Sequence, residues 1–85
     1  MTGAILRRMD DDSTPIPELE HYANGNVKMR GFRLGTELHG EWEWYRTDGS
    51  LMRSGVFDRG KQVSVWKTFD RAGRVVKETD FDRRG

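Results

Sequence analysis

Cysteine is absent from this 85-residue chain, which removes disulfides and thiolate metal sites as supports for its core. Proline occurs twice, at Pro15 and Pro17, so from residue 18 onward every backbone N–H is free to join a ladder. No apolar run approaches the ~20 residues that a membrane-spanning helix needs. Ala4-Ile5-Leu6, with Arg7-Arg8 behind it, is too short for the core of a signal peptide. An excess of one charge is also missing: Lys and Arg number 15, Asp and Glu 14, and the signs are interleaved. Proteins devoted to nucleic acid or to anionic membranes display a basic patch, so neither partner is expected. A soluble, cytoplasmic protein is.

Apolar residues make up 34% of the chain and charged residues another 34%, a balance close to that of disordered segments. The apolar residues nevertheless recur at regular spacings beside turn residues, which a disordered tract would not need. The stretch from His39 to Trp66 sets that spacing. Moved along by 24 residues, Trp42 falls on Trp66, Tyr45 on Phe69, Gly49 on Gly73 and Phe57 on Phe81. A fixed period of this size marks a repeat array. A chain this short buries only about 60–65% of its unfolded surface, so its core needs help from oligomerisation or from a covering segment.

Ten glycines at this spacing interrupt every candidate helix, and the chain reads as a series of hairpins. Asn24-Gly25 and Asp48-Gly49 carry the residues of two-residue type I′ turns, with Ala72-Gly73 as a weaker third. Gly35 and Gly60 mark turns of three to five residues between them. The strands expected are 16–23, 26–33, 37–47, 50–58, 62–71 and 74–82, and Pro15 and Pro17 confine the first to a sheet edge. The fold class is then all-β: an antiparallel meander of six strands, built from hairpin repeats of 24 residues in a single curved sheet. Residues 1–14, with Asp10-Asp11-Asp12, read as a flexible tail, 15–82 as the repeat domain and 83–85 as a second tail.

Register follows from the turns. With a two-residue loop at Asp48-Gly49, Thr47 faces Ser50, Trp42 faces Gly55, Gly40 faces Phe57 and Trp44 faces Arg53. One unit later Trp66 faces Thr79, Ser64 faces Phe81 and Lys67 faces Glu78. Rings then cover small residues across the ladder, shielding bare backbone while burying area, and Trp42 is expected to cover Gly55. Alternation along the strands places Trp42, Trp44, Phe57, Trp66 and Phe81 on one face, with Arg53 over Trp44 as a cation–π pair.

The order Y-x-x-x-G, G-x-F, G-x-W and again Y-x-x-x-G over residues 20–82 resembles the variant form of MORN repeats, found in bacterial chains of which some are antitoxin-like. The resemblance implies an elongated meander of stacked hairpins that serves as an interaction surface, sometimes at membranes. It brings no defined activity. In this chain His21 stands in the place of Tyr45, Ser64 in that of Gly40 and Thr79 in that of Gly55, which gives the last unit the character of a cap.

Chemistry-bearing patterns are sparse. His39-x-Glu41-x-Glu43 puts three potential ligands on one strand face, but no second histidine is predictable nearby, and no metal is expected. Ser54 and Ser64 lack an identifiable base and orienting group, so no catalytic residue is assigned. No G-x-x-x-x-G-K phosphate cradle occurs, and no cofactor is expected. Trp and Tyr are enriched where proteins meet. The reading is therefore a non-enzymatic protein–protein interaction module, antitoxin- or immunity-like by resemblance, that meets a protein partner or a second copy of itself. Its candidate contact residues are Trp42, Trp44, Arg53, Phe57, Trp66 and Phe81, and its structural turns rest on Gly25, Gly35, Gly49, Gly60 and Gly73. The competing readings are a membrane-surface module that binds phospholipid, and an enzyme or small-ligand binder with a pocket on the sheet.

Overall fold

The structure, a computed structural model, describes residues 14–82. The expectations for 1–14 and 83–85, Thr14 apart, lie outside the described residues. Six strands follow one another: β1 (Ile16–His21), β2 (Val27–Leu34), β3 (Glu37–Tyr45), β4 (Leu51–Asp58), β5 (Lys61–Phe69) and β6 (Val75–Asp80). Each pairs antiparallel with the next, in the order β1-β2-β3-β4-β5-β6, and the sheet stays open instead of closing into a barrel. There is no helix among the described residues, and none is long and apolar enough to cross a membrane. Measured over Cα atoms the molecule is 12 Å thick, the depth of a single pleated layer. β1, which carries Pro17, lies at an edge, where a missing ladder donor costs nothing.

The turns exchange the lengths expected of them. Asn24-Gly25 and Asp48-Gly49 do not form two-residue type I′ loops. Instead Tyr22 N–H donates to the carbonyl of Asn26 and Gly25 N–H to that of Tyr22, at 2.8 and 2.9 Å. The same pair of bonds joins Arg46 with Ser50 and Gly49, and Asp70 with Arg74 and Gly73. Each loop thus has three residues, a type I turn closed by a glycine with positive φ: Gly25 at 95°, Gly49 at 94° and Gly73 at 87°. Only one residue per loop needs the left-handed region, so Asn24 and Asp48 are freed to accept from backbone N–H groups two residues on, at Asn26 and Ser50. The turns at Gly35 and Gly60, expected to be longer, are two-residue loops between Leu34 and Glu37 and between Asp58 and Lys61.

A three-residue loop shifts the pairing by one, and the strands correct it at once. Tyr45 faces Leu51 while Trp44 faces Arg53, leaving Met52 as an extra residue. Lys28 and Val76 are skipped in the same way. Beyond these bulges the expected register holds: Trp42 faces Gly55, Gly40 faces Phe57, Trp66 faces Thr79 and Lys67 faces Glu78. His21 occupies the position of Tyr45 and Phe69, each the last paired residue before a loop.

The junctions between repeats carry the core. Across β2 and β3, Arg30 faces Glu43 and Phe32 faces His39, so Gly31 stands opposite three residues, Gly40, Glu41 and Trp42. Across β4 and β5, Gly55 stands opposite Ser64, Val65 and Trp66. Each bulge turns on a left-handed residue, Gly40 at φ 83° in the first and Ser64 at φ 65° in the second. The tryptophan that ends the bulge then folds back over the preceding strand. The ring of Trp42 lies on Gly31, not on Gly55, and that of Trp66 lies on Gly55. The expected pairing was right while the expected cover was wrong, because the bulge aims the side chain away from its ladder partner. The indole N–H groups donate to carbonyls at these bulges: Trp42 Nε1 to Phe32 at 3.0 Å, and Trp66 Nε1 to Val56 and Val63 at 3.2 and 3.1 Å. Leu34, Trp42 and Trp66 are the buried hydrophobic residues of the described sheet.

Candidate interaction face

Trp42 and Trp66, on β3 and β5, are 1% and 5% exposed, so they serve the sheet itself. Trp44 lies between them on the same face. Its ring stacks on Trp42 at 5.9 Å between centroids and on Trp66 at 5.5 Å. Gly55 makes this possible: with no side chain on β4 at that point, the Trp66 ring crosses the strand towards Trp44. Phe57 closes edge-on against all three indoles, nearest to Trp66 at 5.1 Å, and Phe81 continues the row at 6.2 Å from Trp66. Edge-to-face and offset stacking are the favourable geometries for such rings. Trp44 and Phe57 are half-buried and Phe81 is exposed.

Arg53 projects beside the row. Its guanidinium sits 5.0 Å from the Trp66 ring centroid and 5.8 Å from that of Trp44. Arg30, Arg33, Arg71 and Arg74 each meet a carboxylate, but Arg53 forms no ion pair among the described residues. A planar guanidinium laid over indoles keeps its donors pointing outward.

The ladder places Arg53 in a line that crosses the whole sheet. Glu20 faces Met29, Met29 faces Trp44, Trp44 faces Arg53, Arg53 faces Thr68 and Thr68 faces Lys77. Cross-strand partners share a face, so the aromatic side runs from a carboxylate on β1 to an ammonium on β6. Around Arg53, Trp66, Thr68, Lys77, Thr79 and Phe81 lies a shallow depression of about 270 Å³, with no carboxylate in its lining.

The opposite face is different in kind. Arg30 Nε donates to Glu43 at 2.8 Å and the Tyr45 hydroxyl donates to the same oxygen at 2.7 Å. The Tyr45 hydrogen bond, then Arg30, holds the Glu43 carboxyl below the usual carboxylate range in spite of partial burial. Burial first, then the Glu43 carboxylate, pushes the Tyr45 hydroxyl up. A groove of about 420 Å³ runs here between Pro17, Leu19, Arg30, Phe32, Glu41 and Glu43. Of its charged groups, Arg30 and Glu43 are engaged with each other, while Glu41 lines the groove beside them. His39 Nδ1 accepts from the Arg59 backbone N–H at 3.1 Å, and Glu43 is taken by Arg30 and Tyr45. No group of three acidic, histidine or cysteine residues among the described ones is arranged to hold a metal.

Each proposed turn glycine has positive φ, Gly35 at 61° and Gly60 at 86° included. Sequence reasoning missed Gly31, Glu20 and Lys77. Gly31 and Gly55 differ by the same 24 residues as Trp42 and Trp66, and that coincidence was the available signal. The two end charges gave no signal, because their alignment depends on five successive registers. Comparison with protein-family models, with curated proteins and with solved structures gives no match.

Proposed function

We propose that the chain is a non-enzymatic interaction module that meets a protein through the face bearing Trp44, Arg53, Phe57 and Phe81. One observation carries the reading: in a sheet one layer thick, no second layer among the described residues covers this aromatic row. Uncovered apolar area bordered by polar groups is characteristic of interfaces, and Trp and Arg supply a large share of their binding energy. Trp42 and Trp66 hold the repeats together, whereas Trp44, Arg53, Phe57 and Phe81 remain available outward. The resemblance of the repeat to the variant MORN form supports the same role.

Sedimentation velocity on the wild type and on Arg53→Ala and Phe81→Ser tests it. Both positions are exposed, so the variants should fold. Association, with itself or with a co-purifying protein, should weaken at least about tenfold in Arg53→Ala, a central contact, and by a smaller but measurable factor in Phe81→Ser, at the edge of the row. A monomer that no protein accompanies, or one that floats with anionic vesicles instead, would refute the proposal.

A further inference from the structure

We infer that the occupant of the aromatic face is a second copy of the chain, packed face to face about a two-fold axis that runs parallel to the strands between β3 and β4. The inference rests on the protein-interaction reading of this face and adds the partner and its geometry.

Two sheets related by a two-fold axis lying between them have only two aligned arrangements. If the axis runs along the cross-strand line, β1 lies over β1 of the other copy, so Glu20 meets Glu20 and Lys77 meets Lys77. Like charges brought together across an interface repel, which disfavours this arrangement. If the axis runs along the strands, strand order reverses and height along the strands is unchanged. The line Glu20–Met29–Trp44–Arg53–Thr68–Lys77 then lies over its own reverse. Trp44 meets Arg53 of the second copy, Met29 meets Thr68, and Glu20 comes to Lys77. Neither Glu20 nor Lys77 makes an ion pair among the described residues, so each brings an unspent charge. The second copy's Glu20 carboxylate reaches the depression beside Lys77, Thr68 and Thr79, whose lining contains no carboxylate of its own. Aligned sheets cross at about 30°, so the match is tightest at the centre, where Trp44 and Arg53 stand.

The area is sufficient. Six strands at about 4.8 Å spacing, each presenting roughly 25 Å of length, offer about 700 Å² per copy, or about 1,400 Å² in total. Stable interfaces bury about 1,200–2,000 Å². Edge-to-edge growth is the less suitable alternative. Continued by one period, the repeat would set β1 of another copy against β6, but the Trp-on-Gly lock there would fall to Glu18 and Thr79.

Charge exchange provides the test. Sedimentation equilibrium at low salt should show a wild-type dimer. Glu20→Lys and Lys77→Glu should each raise the dimer dissociation constant at least about tenfold, and the double variant should recover most of that loss. Circular dichroism melts of each variant establish that it is folded. Should Glu20→Lys fail to fold at the sheet edge, Glu20→Gln paired with Lys77→Gln supplies the same comparison through lost salt dependence. A monomeric wild type, single variants that dimerise as tightly as the wild type, or a double variant no better than the singles overturns the two-fold pairing. A wild-type monomer that loses a different protein partner on Phe81→Ser overturns this inference alone and leaves the reading of the face in place.

Discussion

The indole of Trp42 rests on the backbone of Gly31, so close that a β-carbon built there would lie 2.1 Å from ring atom Cδ2. Trp66 and Gly55 repeat the arrangement with the same 2.1 Å approach. These two contacts tie one hairpin to the next, and they make the glycines at 31 and 55 a steric requirement.

Gly31→Ala and Gly55→Ala should therefore each destabilise the fold by about 2–3 kcal/mol, because the ring must leave its site to admit one methyl group. Urea melts check this. Two unchanged midpoints would mean that the rings have room to move.

Replacing the ring should cost more. Trp42→Ala should lose about 3–5 kcal/mol, as for other large aromatic truncations in a core. Trp42→Phe keeps much of the apolar cover but leaves the Phe32 carbonyl without its indole donor, and should lose about 1–3 kcal/mol. Equal losses for the two variants in thermal melts would show that the hydrogen bond, not the area, dominates.

Position 64 offers a gain. Ser64 occupies at φ 65° the bulge position that Gly40 fills at φ 83° one repeat earlier. A left-handed backbone costs a residue with a β-carbon about 1–2 kcal/mol. Part of that is returned by the greater freedom of glycine in the unfolded chain. Ser64→Gly should stabilise by about 0.5–1 kcal/mol, and Gly40→Ala should destabilise by about 1–2 kcal/mol. A Ser64→Gly protein that melts earlier would contradict the account of the bulge.

Acid should loosen the fold through Glu43. A carboxyl whose folded pKa lies below its unfolded value of about 4.3 adds stability that is complete above that value. The contribution is lost as pH falls through the folded pKa. Tyr45→Phe removes the largest cause of the depression and should raise the Glu43 midpoint in a carboxyl carbon NMR titration. Asp48 and Asp70, held low by hydrogen bonds from the backbone N–H groups of Ser50 and Arg74, should titrate in the same direction. A Glu43 midpoint indifferent to Tyr45→Phe would remove that hydroxyl from the explanation.

Local chemistry and a repeating period were enough to read strand number, strand order and most pairings from the amino-acid sequence, because glycine-marked turns punctuate the chain and alternation assigns the faces. The same information placed Trp44, Phe57, Phe81 and Arg53 together, since cross-strand neighbours follow from register alone. It misjudged the loop lengths, as Asn-Gly and Asp-Gly suit a type I′ turn and a type I turn with a bulge almost equally. Which glycine each tryptophan covers was decided only in three dimensions, where a left-handed residue at position 40 or 64 swings the ring onto the preceding strand. The line from Glu20 to Lys77 likewise belongs to the tertiary structure. It depends on five registers and their bulges acting in succession, and no short stretch of the chain contains both ends.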